Sequence, residues 1–138
     1  MLYDSYNKGE RNMRGENAVH FGEWVRNRRA ELRLSLRKFA EETRLDPGNL
    51  SKYERGVLPP PQDPDTLGRI AAVLKLKEGD PGCREFMDLA ALGAGRIPRD
   101  LVSDPKLLAK MPLLFRAIRT RNLTRQQLLE LAERLKSL

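Results

Sequence analysis

The sequence predicts an all-α protein, and three observations carry that expectation. Apolar residues recur at helical spacing, as in Leu36, Phe39 and Ala40 or Leu67, Ile70, Ala71 and Leu74. An aspartate followed by proline, a strong helix-start signal, occurs at Asp46-Pro47, Asp80-Pro81 and Asp104-Pro105. With 33% charged and only 6% aromatic residues, the composition suits modest helical cores better than a sheet sandwich. No stretch alternates in the way a half-buried strand requires.

Residues 1–18 show no periodicity and few aliphatic side chains, and are expected to be a disordered tail. A first helix is predicted over 19–32, with Phe21, Val25 and Leu32 on its apolar stripe. Arg26, Arg28 and Glu31 are expected to face water, and Trp24 lies off the stripe, free to meet a later segment. Second and third helices follow over 35–43 and 47–55. In the third, Leu50, Tyr53 and Val57 form the stripe expected to pack against Leu36, Phe39 and Ala40. The run Pro59-Pro60-Pro61, followed by Asp63-Pro64, then makes a stiff break between helices. A fourth helix is predicted from about 64 to Leu76. A fifth runs from 81 to 92, with Phe86, Leu89 and Ala90 inward, and Gly93-Ala94-Gly95 ends it. These elements make residues 19–93 one domain and residues 96–138 a helical appendage. In the appendage Pro112 is expected to split or kink the helix that Asp104-Pro105 opens. Thr124 to Gln127 reads as a capping box starting the last helix, whose seam is Leu128, Leu131, Ala132 and Leu135.

The length of 138 residues fits one small domain plus this appendage. Net charge is +7, unevenly placed. Residues 19–58 hold nine cations and six carboxylates, residues 59–95 four and six, and residues 96–138 ten and four. A basic chain suits an acidic partner such as nucleic acid, yet most of the excess follows residue 95. The single cysteine, Cys83, has no partner for an internal disulfide and fits a reducing cytoplasm. No apolar run approaches a membrane span, and the first residues carry no secretory leader pattern.

The stretch Leu34 to Gly56, LSLRKFAEETRLDPGNLSKYERG, combines two short helices and a tight turn. Once its stripes are buried, Gly48, Asn49, Ser51, Lys52 and Arg55 point outward. Short polar groups, an amide and cations at the front of a helix suit a DNA groove. The run from Phe21 to Leu76 resembles the phage-repressor (Cro-like, XRE) helix-turn-helix family. The resemblance rests on Arg29, Leu34-Ser35-Leu36, Phe39-Ala40, Leu45, Leu50-Ser51 and Tyr53-Glu54-Arg55-Gly56 in order, with a further helix after a proline-containing loop. It implies a five-helix, repressor-type domain that binds double-stranded DNA as a homodimer, the third helix in the major groove. Pro47, Gly48, Asn49, Ser51 and Lys52 fall at the positions that reach base edges. Asn49 suits adenine and Lys52 guanine. Arg55, Arg37 and Arg44 are further candidates for DNA contact. Arg29 and Glu54 match a family pair that joins the first helix to the end of the third. Physical logic agrees, because a carboxylate near the groove repels phosphate unless a guanidinium neutralises it.

Two departures follow. Arg33 and Arg44 occupy places where the family usually has glycine at positive φ, a conformation that costs other residues about 1 kcal/mol or more. They either touch phosphate or are tolerated arginines facing solvent.

Catalysis finds little support. His20 and Cys83 are the only histidine and cysteine, too few for a His/Cys metal site, and Glu41-Glu42 lie on a helix exterior. No glycine-rich phosphate loop is present, and no cofactor or metal is expected. The arginines at 116, 119, 121 and 125 can extend a DNA footprint, dock an acidic partner or keep a leucine-rich segment soluble. Leu107, Leu108, Met111, Leu114, Phe115 and Ile118 are too many for an isolated helix to leave exposed; they imply folding onto the first domain or, preferably, dimerisation. The expected function is a sequence-specific transcriptional regulator, a dimeric repressor of cytoplasmic, nucleoid-associated location. The alternative is an antitoxin-like or protease-sensitive protein that holds a partner protein through its C-terminal helices.

Overall fold

The computed structural model describes residues 20–120 and 123–136, with side chains as far as Arg134. The tail over 1–18, Val19, Arg121 and the Leu135 side chain lie outside the described residues. Those described are helical throughout, with no strand. The chain divides into two compact units, on either side of Pro98 and Arg99.

The first unit holds α1 (Phe21–Glu31), α2 (Leu36–Thr43), α3 (Pro47–Arg55), α4 (Pro64–Val73) and α5 (Pro81–Gly93). Side chains start most of these helices, as their orphan N–H groups require. Ser35 accepts from Lys38 N at 3.0 Å, Asp46 from Asn49 N at 2.9 Å and Asp63 from Thr66 N at 2.9 Å. His20 caps α1 through Nδ1, which accepts from Glu23 N at 3.3 Å, so α1 begins at Phe21.

Five helices converge on one core: Phe21, Trp24 and Val25 from α1, Phe39 and Ala40 from α2, Leu50 from α3, Leu67 and Ile70 from α4, and Phe86 and Ala90 from α5, with Leu74 beside them. Phe86 is the keystone. Its ring centroid lies 5.4 Å from that of Phe21 and 5.8 Å from that of Trp24. Trp24 therefore does meet a later segment, and α5 is part of the domain core. Tilted ring pairs of this kind add about 0.5–1.5 kcal/mol beyond burial.

Helix α1 crosses α3 at Gly22. A Cβ there would stand 2.1 Å from the Tyr53 carbonyl oxygen, so only glycine permits the approach.

Three sequence expectations need correction. Val57 does not extend the α3 stripe; it is 59% exposed, because Gly56 turns left-handed at φ 77° and ends the helical periodicity. Helix α4 stops at Val73, short of Leu76, because Lys75 adopts φ 59° and Leu76 N–H turns back to Ala71 O. Arg28 is not a purely solvated residue. Its Nε donates to Leu74 O at 2.9 Å and Nη2 to Lys75 O at 3.4 Å, closing the end of α4.

Arg28 belongs to a wider pattern in which arginines take the orphan carbonyls of helix C-termini. Arg69 Nη1 reaches back from α4 to Thr43 O at 3.1 Å and Arg44 O at 3.4 Å, closing α2. Arg29 Nη1 instead donates to a loop carbonyl, Leu34 O, just before α2, at 2.7 Å. The end of α5 is closed by main chain, with Arg96 N–H bonded to Ala91 O at 2.8 Å.

The second unit contains α6 (Arg99–Val102), α7 (Pro105–Thr120) and α8 (Arg125–Lys136). Helix α7 runs through Pro112 as one helix, so the split that the sequence allowed for does not occur. Proline removes one N–H donor, and at an exposed position the freed carbonyl has water. At α8 the capping box is reciprocal: Thr124 N donates to Gln127 Oε1 at 2.9 Å and Gln127 N to Thr124 Oγ1 at 3.2 Å.

Candidate nucleic-acid interface

Helix α3 divides its residues sharply. Leu50 is 1% exposed and Glu54 6%, whereas Pro47, Gly48, Asn49, Lys52 and Arg55 are all exposed. Asp46 fixes the front of the helix by accepting the Asn49 N–H, leaving the Asn49 side-chain amide outward. Gly48 makes room for this cap, since a Cβ there would meet Asp46 Oδ2 at 2.9 Å. Ser51 is half-buried, and its hydroxyl accepts from Arg55 Nε at 3.2 Å. Ser51 and Arg55 thus form one polar group rather than two separate contacts.

Arg29 and Glu54 meet as a forked pair. Arg29 Nε donates to Glu54 Oε2 at 2.7 Å and Nη2 to Oε1 at 2.9 Å. The hydrogen bond to Glu54 raises the arginine's pKa above its ordinary value; burial opposes this and the carboxylate charge assists it. The guanidinium stays charged, which the nearly buried carboxylate requires. Because the fork joins α1 to the last turn of α3, it sets the pitch at which the exposed face of α3 is presented.

Arg37 is exposed on α2, and Arg44 is exposed just after it. Arg44 has φ 61°, Arg33 φ 58° and Lys75 φ 59°. Each cation follows the end of a helix, where a positive charge meets the negative pole of the helix dipole. That offsets part of the cost of the left-handed backbone. Lys75 was not anticipated, since nothing in its neighbourhood marks a left-handed lysine.

Sequence reasoning also missed Gly22, Arg69 and Gln62. Gln62 Nε2 donates to Ala90 O at 2.9 Å and so ties the proline loop to α5. All three act through contacts remote in sequence, for which local pattern carries no signal.

Among the described residues, no group of three or more His, Cys, Asp or Glu side chains could hold a metal. No described helix is long and apolar enough to cross a membrane. What the geometry offers is an exposed helix face with an amide, Asn49, in its first turn and two cations, Lys52 and Arg55, in its last turn.

This is the arrangement of a DNA-binding regulator domain. Residues 25–80 match the family model described as Helix-turn-helix. Residues 25–80 thus form a helix-turn-helix domain of the phage-repressor (Cro-like, XRE) type, a type found in DNA-binding transcriptional regulators. No curated protein and no solved structure matches the chain.

Proposed function

We propose that the protein is a sequence-specific transcriptional repressor that binds double-stranded DNA as a homodimer, laying α3 in the major groove. The observation that carries this reading is the exposed front of α3, held in place from behind by the Arg29–Glu54 fork. Asn49 pairs with adenine through its amide, and Lys52 reaches the O6 and N7 acceptors of guanine. Pro47 offers an apolar contact to a thymine methyl, and Gly48 brings the backbone close without reading sequence. Ser51 and Arg55 act together at the edge of this surface, while Arg37 and Arg44 contact phosphates and fix register. No cofactor is needed, and the protein works where the DNA is, at the nucleoid.

Selection of bound DNA from a random pool tests this directly. The expected product is an inverted repeat with half-sites centred about 34 Å apart, one helical turn. Recovery of no sequence preference would refute base readout.

A second reading is supported by the apolar side chains that the second unit leaves exposed. In it, residues 99–138 hold a protein partner, and DNA binding serves autoregulation, as in an antitoxin-like or protease-sensitive regulator. Co-expression with the product of the neighbouring gene, followed by size-exclusion chromatography, separates the two. A complex that survives high salt favours this reading, and a lone dimer favours the first.

A further inference from the structure

The first unit holds a cleft that the reading helix does not use. Its volume is about 460 Å³, and it lies between α1 and the turn that joins α4 to α5. That is within the size range of small-molecule sites. From α1 it takes Trp24, Asn27, Arg28 and Glu31. At 3.6 residues per turn these four centre roughly 160° away from Gly22 and Arg29, the α1 residues that meet α3. The cleft therefore lies on the face of α1 opposite the reading helix.

Its polar lining is only partly satisfied by the protein. Arg28 is occupied by Leu74 O, Lys75 O and Glu31, and the ion pair cancels two charges. Trp24 is 5% exposed, and its buried Nε1–H has no acceptor. Asn27 and Glu85 are half-buried, and neither side chain makes a hydrogen bond or ion pair among the described residues. Asp80 stands at the N-cap of α5, yet its carboxylate accepts no bond from that helix. Polar groups withdrawn from water normally find partners, so unpaired ones gathered around one cleft suit a ligand that supplies them.

Charge sets the sign of that ligand. With Arg28 and Glu31 cancelling, the lining keeps Lys75 against Asp80 and Glu85, an excess of one carboxylate. Cys83, in the first turn of α5, senses the same field: after burial, the Glu78 and Asp80 charges push its thiol up. Leu76, half-buried, adds an apolar wall.

We propose that this cleft binds a small organic cation whose ammonium is flanked by an oxygen acceptor and an apolar chain. The ammonium pairs with Glu85 and Asp80, the oxygen accepts from the Trp24 and Asn27 N–H groups, and the apolar chain lies on Leu76. Charge-assisted bonds to the two carboxylates supply most of the selectivity. The site belongs to the first unit alone and stands whether or not α3 reads DNA.

Titration of the full chain with leucinamide and phenylalaninamide tests the site, read by calorimetry and by the emission of Trp24, the only tryptophan. Both probes carry an ammonium beside a carbonyl and an apolar side chain. At least one is expected to bind saturably, about tenfold or more tighter than its analogue without the ammonium, isocaproamide or hydrocinnamamide. Glu85→Gln keeps the side chain's shape and is expected to weaken binding by a similar factor, with helical circular dichroism unchanged. Glu41→Gln removes the same charge from the exposed face of α2 and is expected to bind as wild type does. Failure of both amides to bind, equal binding of the uncharged analogues, an unaltered Glu85→Gln, or equal loss in Glu41→Gln each overturns the proposal. So does tighter binding of N-acetyl-leucine, which carries the opposite charge. If Glu85→Gln loses helix, Asn27→Ala decides instead: weaker binding supports the site, and wild-type affinity overturns it.

Discussion

Removing Arg29 leaves the Glu54 carboxylate nearly buried and unpaired, and that change gives the sharpest stability prediction. Arg29 supplies two short bonds to Glu54 and a third, at 2.7 Å, to Leu34 O. Glu54 is 6% exposed, so water cannot replace the guanidinium. Breaking a buried pair by deleting one partner costs about 3–5 kcal/mol, mostly the price of the stranded charge. Arg29→Met is therefore expected to lose at least about 3 kcal/mol, lowering Tm by roughly 12 °C or more for a domain of this size. Glu54→Met is milder, about 1–3 kcal/mol, because the arginine keeps Leu34 O and partial access to solvent. The double variant is expected to recover at least about 1 kcal/mol relative to the summed single losses. Trp24 is the only tryptophan and packs on Phe86, so urea unfolding followed by its fluorescence reports on this unit alone. A loss below about 1 kcal/mol for Arg29→Met, or single losses that simply add, would refute the reasoning.

Three other predictions concern glycine, acid and the thiol. Gly22→Ala should cost more than about 3 kcal/mol, because its Cβ would stand 2.1 Å from one backbone oxygen and 2.5 Å from another. Gly68→Ala, with nothing within 4 Å, should instead stabilise α4 by about 0.4–1 kcal/mol; the same fluorescence assay checks both. The Thr66 N–H first, then its hydroxyl, hold the Asp63 carboxyl below the usual carboxylate range. The stability from this cap is present above about pH 4 and lost as pH falls through the lowered value. Acid unfolding of Asp63→Asn should accordingly show a shallower limb below pH ~4 than wild type, and an identical limb would count against the cap. Burial first, then the nearby Glu78 and Asp80 charges, push the Cys83 thiol up. Alkylation by iodoacetamide at neutral pH should be slower in the folded protein than in urea, and equal rates would contradict that environment.

The parts of the fold legible in the sequence were those with local causes. Asp46-Pro47 marked the start of α3 because capping and fixed proline φ act within one turn. Leu50, Phe39 and Ala40 could be placed inside because they repeat at helical spacing. Where the backbone left the helical conformation, periodicity misled. Val57 looked like the next stripe residue, but Gly56 had already reversed φ. Leu76 looked helical until Lys75 did the same. The arginines show a different limit. Arg26 and Arg28 read alike, yet Arg28 reaches carbonyls 46 residues away, and no local pattern announces that contact. The candidate site was legible for the same reason as α3 itself, since burying Leu50 obliges Asn49 and Lys52 to face outward. Gly22 was not, because its role depends on how close another helix comes.

The central claim is that α3 reads bases through Asn49 and Lys52, and a mobility-shift titration of Asn49→Ala, Lys52→Ala and the double variant on the selected DNA site tests it most directly. Each single change is expected to cost about 1–3 kcal/mol, and the double variant should lose most of its preference for that site over unrelated DNA. A double variant that keeps both wild-type affinity and wild-type preference would contradict the account.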